Sequence, residues 1–149
     1  MSDSIWRSID TAEKSDYGKM ECIEMTDVAI VGGGLCGILC AWFLKDAGVD
    51  CILLDKNRIA GGTGKDAMAQ VTSQHGLIYS KLVERDGAEK ARMYFQANEL
   101  AIQKYRELSE QINCDFEETS SYVYSMNDRE KIEKEIDAVS RIGGKAEFC

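Results

Sequence analysis

Hydrophobic and polar positions change their spacing several times along this chain, and each change marks an element. Asp27-Val28-Ala29-Ile30-Val31 is a short apolar run ending in glycine, the pattern of a strand buried in a parallel sheet. Leu35 to Ala47 predicts a buried helix, and Gly48 stands where a left-handed residue would end it. Val49 to Leu54 predicts a second buried strand, closed by Asp55. Strand, helix and strand in so short a stretch predict a βαβ unit with a right-handed crossover.

The pattern then loosens. Arg58 to Lys65 is a glycine-rich loop, and Asp66 to Arg85 is mixed and assigned only coarsely. From Gly87 to Asn113, Ala91, Tyr94, Phe95, Ala101, Ile102, Tyr105, Leu108 and Ile112 recur at helical spacing among charged residues, predicting a long amphipathic helix. Ser121 to Met126 has the β propensity of Tyr-Val-Tyr and predicts a strand. Asn127 with Glu130 three residues on resembles a capping pair. The helix expected after it carries Ile132, Ile136, Val139 and Ile142 on one face and stops at Gly143-Gly144. Ala146 to Cys149 reads as the beginning of another strand. Residues 1–26 form a polar arm with isolated apolar positions, Ile5, Trp6 and Ile9, expected to be poorly ordered or draped over the domain of residues 27–149.

Charge and cysteine usage narrow the function classes. Eighteen basic against 26 acidic residues give a net charge of −8, the wrong sign for a nucleic-acid or anionic-membrane surface. Residues 1–26 lack the apolar core of a secretory leader, and the uncharged run Val28–Leu44 is short and broken by glycines, so neither export nor a membrane span is expected. The six cysteines form no CxxC pair and the single histidine, His75, has no ligand-like neighbour, so no metal site is expected. Cysteines scattered in this way read as reduced, buried thiols of a cytoplasmic protein, with Cys36 and Cys40 as small core residues on one helix face. His75 is expected to be structural rather than a general base. Tyr79, Tyr94, Tyr105, Tyr122 and Tyr124 are expected in the core or at an interface.

The candidate chemistry lies in Gly32-Gly33-Gly34-Leu35-Cys36-Gly37, which fits GxGxxG at Gly32, Gly34 and Gly37. The first glycine permits a tight turn out of the strand. The second lets a pyrophosphate approach the backbone, and the third lets helix and strand pack closely. Free N–H groups at the helix start then face the phosphates. Asp55, 18 residues after Gly37 at the end of the second strand, is placed to accept hydrogen bonds from the adenosine ribose. The motif serves FAD and NAD alike, and the acid disfavours NADP, whose 2′-phosphate would meet a like charge.

The run Asp27–Lys56 resembles the opening of FAD-dependent oxidoreductases of the glycine/D-amino-acid oxidase superfamily, with its triple glycine, a helix ending in Ala-Gly and an acid closing the second strand. Gly61-Gly62-Thr63-Gly64-Lys65 and Val71–Leu77 extend the resemblance to a subgroup that often carries a Rieske domain at its far end. This resemblance implies an α/β fold: a Rossmann-like FAD/NAD(P)-binding βαβ unit with additional helices and a few strands. It implies FAD as cofactor, held by Gly32–Gly37 and Asp55, with Lys56, Asn57, Thr63 and Gly64 wrapping the adenosine and phosphates. The loop departs from the family pattern at Gly64–Ala69, where a Thr- and Asn-rich stretch is usual.

Too few strands are expected for a complete doubly wound sheet, which needs about five or six. The chain is therefore expected to be the front portion of a longer flavoenzyme acting on an amine or amino acid, with homo-oligomer formation through open sheet edges. A truncated, non-catalytic dinucleotide-binding module and an NAD-dependent dehydrogenase are the alternatives.

Overall fold

The computed structural model describes residues 17–21, 25–62, 67 and 69–149. Of the expected N-terminal arm, residues 17–21, 25 and 26 are among them, and Ile5, Trp6 and Ile9 lie outside. Two compact units are present, one ending at Gln70 and one beginning at Val71.

The first unit is built from strand β1 (Val28–Val31), helix α1 (Leu35–Asp46) and strand β2 (Cys51–Leu54). β1 and β2 pair in parallel, with Val28 opposite Cys51 and Val31 opposite Leu54. The helix ends as the glycine predicted: Gly48 has φ 72°, its N–H donates to Lys45 O at 3.0 Å, and Val49 N–H donates to Leu44 O at 2.9 Å. That last bond explains why β2 begins at Cys51 rather than Val49, because Val49 is used to close the helix.

Burial in this unit departs from expectation. α1 contains no buried residue, and β1 alternates between half-buried and exposed positions. Val31 is 87% exposed, and Leu35, Trp42 and Phe43 are also exposed. Apolar sequence is met here by a two-stranded sheet with one helix, which leaves much of the apolar surface uncovered.

The second unit holds helices α2 (Tyr79–Asp86), α3 (Ala88–Ser109) and α4 (Arg129–Arg141). Its core is Tyr79, Ala91, Ala138, Val139 and Ile142, flanked by Leu82, Val83 and Phe95. The Tyr79 ring meets Phe95 edge-on with centroids 5.8 Å apart, and its hydroxyl donates to Ser73 O. Buried Glu135 of α4 accepts the N–H groups of Tyr79 at 2.7 Å and Ser80 at 2.8 Å. A carboxylate from one helix thus satisfies the N-terminus of another, which has no side-chain cap of its own.

α3 is shorter than its predicted span because its end tightens: Gln111 and Ile112 donate to carbonyls three residues back. Only its Ala91 is buried, and Tyr94, Ala101 and Ile112 of the predicted stripe are exposed. Ser121–Met126 forms no strand and is exposed throughout, since propensity alone does not supply a pairing partner. Ala146–Cys149 likewise joins no ladder. The expected Asn127–Glu130 cap does not form. The N-cap is Asp128 without a capping bond, and both acids are drawn into ion pairs, Asp128 with Lys131 and Glu130 with Lys134. α4 ends as predicted before Gly143, at φ 93°, with Gly144 N–H on Val139 O at 2.9 Å. A side chain at Gly144 would press on Val139 and Phe95.

Candidate functional site

The glycine turn between β1 and α1 is shaped by steric demands that differ at each position. Gly32 has φ 111°, a conformation that side chains strongly disfavour. A Cβ on Gly37 would overlap the Gly32 carbonyl oxygen, so the helix can approach the turn only with glycine there. Gly33 is buried, and a Cβ on it would lie 2.5 Å from Ile59 Cδ1. Gly34 is under neither demand: a Cβ there would meet nothing within 4 Å, and its φ of −84° is one that any residue adopts.

Gly34 is also the N-cap of α1, without a side-chain capping bond and without an acidic residue in the first turn. Helix geometry leaves the N–H groups of Leu35, Cys36 and Gly37 without intrahelical acceptors. Leu35 and Cys36 are exposed beside Gly34. The result is an open, partially positive backbone surface.

Asp55 leaves β2 and turns back on the same loop. Its Oδ2 accepts the Gly33 N–H at 2.8 Å and its Oδ1 accepts the Asn57 N–H at 2.7 Å. These bonds, the Asn57 one foremost, together with the Lys56 charge, hold its pKa below the usual aspartate value. Each carboxylate oxygen keeps a second acceptor direction open to solvent. Lys56 and Asn57 are exposed on the same turn. Thr63 and Gly64 lie outside the described residues.

Two residues of this loop were not anticipated. The Ala60 N–H donates to Gly33 O at 2.8 Å, and Ile59 packs over Gly33, so the loop after β2 braces the glycine turn from outside. The only hint in the sequence was an isolated isoleucine in a glycine-rich stretch.

Other candidates are not brought together. His75 is exposed. Cys36 and Cys40 are exposed rather than in a core, on a helix that has no buried residue; Cys114 and Cys149 are exposed too. Tyr79 is a core residue as expected, whereas Tyr122 and Tyr124 are exposed. Among the described residues no group of three or more His, Cys, Asp or Glu could hold a metal ion, and no helix is long and apolar enough to cross a membrane. A shallow concavity of about 620 Å³ runs along α3 past Glu99, Gln103, Arg106, Glu107 and Glu110. Its Glu107 is paired with Lys104 and its Arg106 with Glu118, so it is a solvated helix face.

A parallel βαβ turn with an open helix start and an acid closing the second strand is an arrangement that nucleotide-binding α/β proteins use. Residues 27–149 match the family of FAD dependent oxidoreductases (DAO), and the chain belongs to that family. It is 35% identical over 121 residues to YhfW of Bacillus subtilis (strain 168), whose name is that of a Rieske 2Fe-2S iron-sulfur protein; the match covers 78% of this chain and 24% of that one. It is 28% identical over 125 residues to the gamma-glutamylputrescine oxidoreductase of Escherichia coli (strain K12), covering 80% of this chain and 29% of the relative. The chain therefore spans about a quarter of the length of these curated relatives. No solved structure matches it.

Proposed function

We propose that this chain is the FAD-cradling portion of an amine or amino-acid oxidoreductase, with a Rossmann-like βαβ unit in a domain of residues 27–149 behind a polar arm of residues 1–26. The observation that carries this reading is the open Gly34 face at the uncapped start of α1. A diphosphate fits there: Gly34 offers no side chain, and the N–H groups of Leu35, Cys36 and Gly37 donate to it. Asp55 accepts the ribose hydroxyls through its free acceptor directions while holding Gly33 and Asn57 in place. Lys56 and Asn57, exposed on the same turn, would contact the adenosine and phosphates, and Thr63 and Gly64 are the further candidates that the family resemblance implies. A bound flavin supplies the hydride acceptor, and the work of these residues is to hold and orient it.

The substrate class rests on the family and on the activity that the E. coli relative is named for. The family match favours FAD over NAD. With its acidic surface, the protein works in the cytoplasm on a small molecule, without nucleic acid or membrane. A second reading, a non-catalytic nucleotide-binding module, is favoured by one observation: the uncovered two-stranded sheet, which leaves α1 without a buried residue.

Calorimetric titration with FAD and with ADP tests the site. Gly34→Val is expected to abolish binding of both while leaving the circular dichroism spectrum unchanged. Asp55→Ala is expected to weaken both, because hydrogen bonds to a charged acceptor are lost. Full affinity in Gly34→Val removes the pyrophosphate from this turn. A peroxide-linked screen of amines and amino acids separates the two readings: turnover of about 1 per second or faster is enzymatic, and its absence with FAD bound favours the module.

A further inference from the structure

Gly33 is held by both of its backbone polar groups, and the loop after β2 supplies both partners. Its N–H donates to Asp55 Oδ2 at 2.8 Å, and its carbonyl oxygen accepts the Ala60 N–H at 2.8 Å. The Ala60 bond comes from a tight turn, Arg58 to Gly61, closed by the Gly61 N–H on Arg58 O at 3.0 Å. Ala60 stands at the third position of that turn with φ 57°, a left-handed conformation that alanine disfavours and that persists where surrounding contacts over-determine it. Half-buried Ile59, one residue earlier, packs on Gly33, where a Cβ would come within 2.5 Å of its Cδ1.

What the carbonyl bond fixes is the peptide between Gly33 and Gly34. In a trans peptide the C=O and the N–H point in opposite directions. With the Gly33 carbonyl aimed at Ala60, the Gly34 N–H points away from the loop. This peptide joins two glycines, the residues with the least steric resistance to a flip. A flip would exchange the two groups and set a carbonyl oxygen where the N–H stands. An anion drawn to successive N–H groups would then meet a partial charge of its own sign.

We propose that Ile59 and Ala60 are positioning residues of the nucleotide site: they latch the Gly33–Gly34 peptide so that the Gly34 N–H joins those of Leu35, Cys36 and Gly37 as a donor to the diphosphate. The inference rests on the diphosphate lying at the Gly34 face, as proposed above. It divides the work of the loop after β2. Asp55 serves the ribose, and the turn at Ile59 and Ala60 acts on the phosphates through the backbone of Gly33.

Three variants of the whole chain test the latch. Ala60→Pro removes the N–H and fixes φ near about −65°, Ile59→Ala removes the packing, and Ala60→Gly keeps the N–H and suits the positive φ. Each is titrated with ADP and with adenosine, which lacks the phosphates. Exchange of the Ala60 amide in the unaltered chain is followed by NMR without nucleotide, and protection is expected. Ala60→Pro is expected to lower ADP affinity about tenfold, the scale of one lost hydrogen bond, with adenosine affinity unchanged. Ile59→Ala should act in the same direction to a smaller extent, and Ala60→Gly should bind both as the unaltered chain does. Equal losses of ADP and adenosine in Ala60→Pro, ADP affinity undiminished in it, or an Ala60 amide exchanging at the rate of an unfolded chain would each overturn the latch while leaving the Gly34→Val test of the site standing. An unaltered chain that takes up no ADP overturns the reading of the site, and the latch's role with it.

Discussion

The two units differ in how their sequences use hydrophobicity. The first is the more apolar. Leu35–Asp46 carries one lysine and one aspartate, at its end, yet no residue of that helix is buried, and Gly33 is the only buried position in the glycine turn. The second is dense in charge. Arg129–Arg141 alternates acids and bases, yet it contributes Ala138 and Val139 to the core and buries a carboxylate. Apolar content therefore measures how much surface an element would gain by covering, and not how much is covered. The second unit meets its needs locally, because three helices close over Tyr79. The apolar β1–α1–β2 surface calls for layers that a two-stranded sheet with one helix does not provide.

Breaking the first unit needs only one atom. Gly37→Val drives a Cβ into the Gly32 carbonyl, and the loss is expected to exceed the usual range of about 0.5–3 kcal/mol for point substitutions. Hydrogen exchange should show the amides of Val28–Val31 and Cys51–Leu54 released, with those of Tyr79–Asp86 as the reference. Breaking the second unit needs one charge. Glu135→Ala leaves the Tyr79 and Ser80 N–H groups without acceptors, at about 3–5 kcal/mol for two bonds to a carboxylate. Urea denaturation followed by tyrosine fluorescence measures it, and Glu135→Gln, which keeps one oxygen, should cost less.

The comparison sharpens with pH. Burial, followed by the influence of Tyr94, Glu99 and Glu135, pushes the Tyr79 hydroxyl up to about 12. Its folded form holds the proton more tightly than its unfolded form. The associated stability is complete below about pH 10 and is lost as pH rises through about 12, up to about 2–3 kcal/mol. Denaturation midpoints of the second unit between pH 9 and about 12 check this. The smallest effect is that of Tyr79→Phe, which removes the bond to Ser73 O at about 0.5–1.5 kcal/mol and should abolish this alkaline loss. A Tyr79→Phe protein that still weakens between those values would assign the transition elsewhere.

Legibility in the sequence followed the range of the interactions. The glycine turn, the two strands and the helix between them were readable, because Gly32 answers its own backbone angle and Gly37 answers the Gly32 carbonyl five residues back. The Gly48 and Gly143 helix ends were readable for the same reason. Glu135 was not, since nothing on its own helix marks it as the cap of Tyr79, 56 residues earlier. Ile59 and Ala60 escaped notice because their partner, Gly33, lies across a turn whose path the sequence does not state. Ser121–Met126 misled, because β propensity describes what a segment can do once a neighbour is supplied. Asn127 misled because Asp128, one residue on, took the cap position and then bound Lys131 instead.

The two backbone bonds of Asp55 have a consequence for redesign. An acid at this position is the natural one to exchange when a dinucleotide preference is to be altered, since its charge repels a 2′-phosphate. Here the same carboxylate ties Gly33 to Asn57, so the exchange removes a loop tether along with a repulsion. Glutamate would carry the charge one methylene too far to reach both N–H groups, and serine would offer one oxygen where two are in use. Tolerance at position 55 is thus set by the loop itself. A library selected for folding alone should already be narrow there and wide at position 34, and under the proposed function a selection for nucleotide binding should narrow position 34 as well.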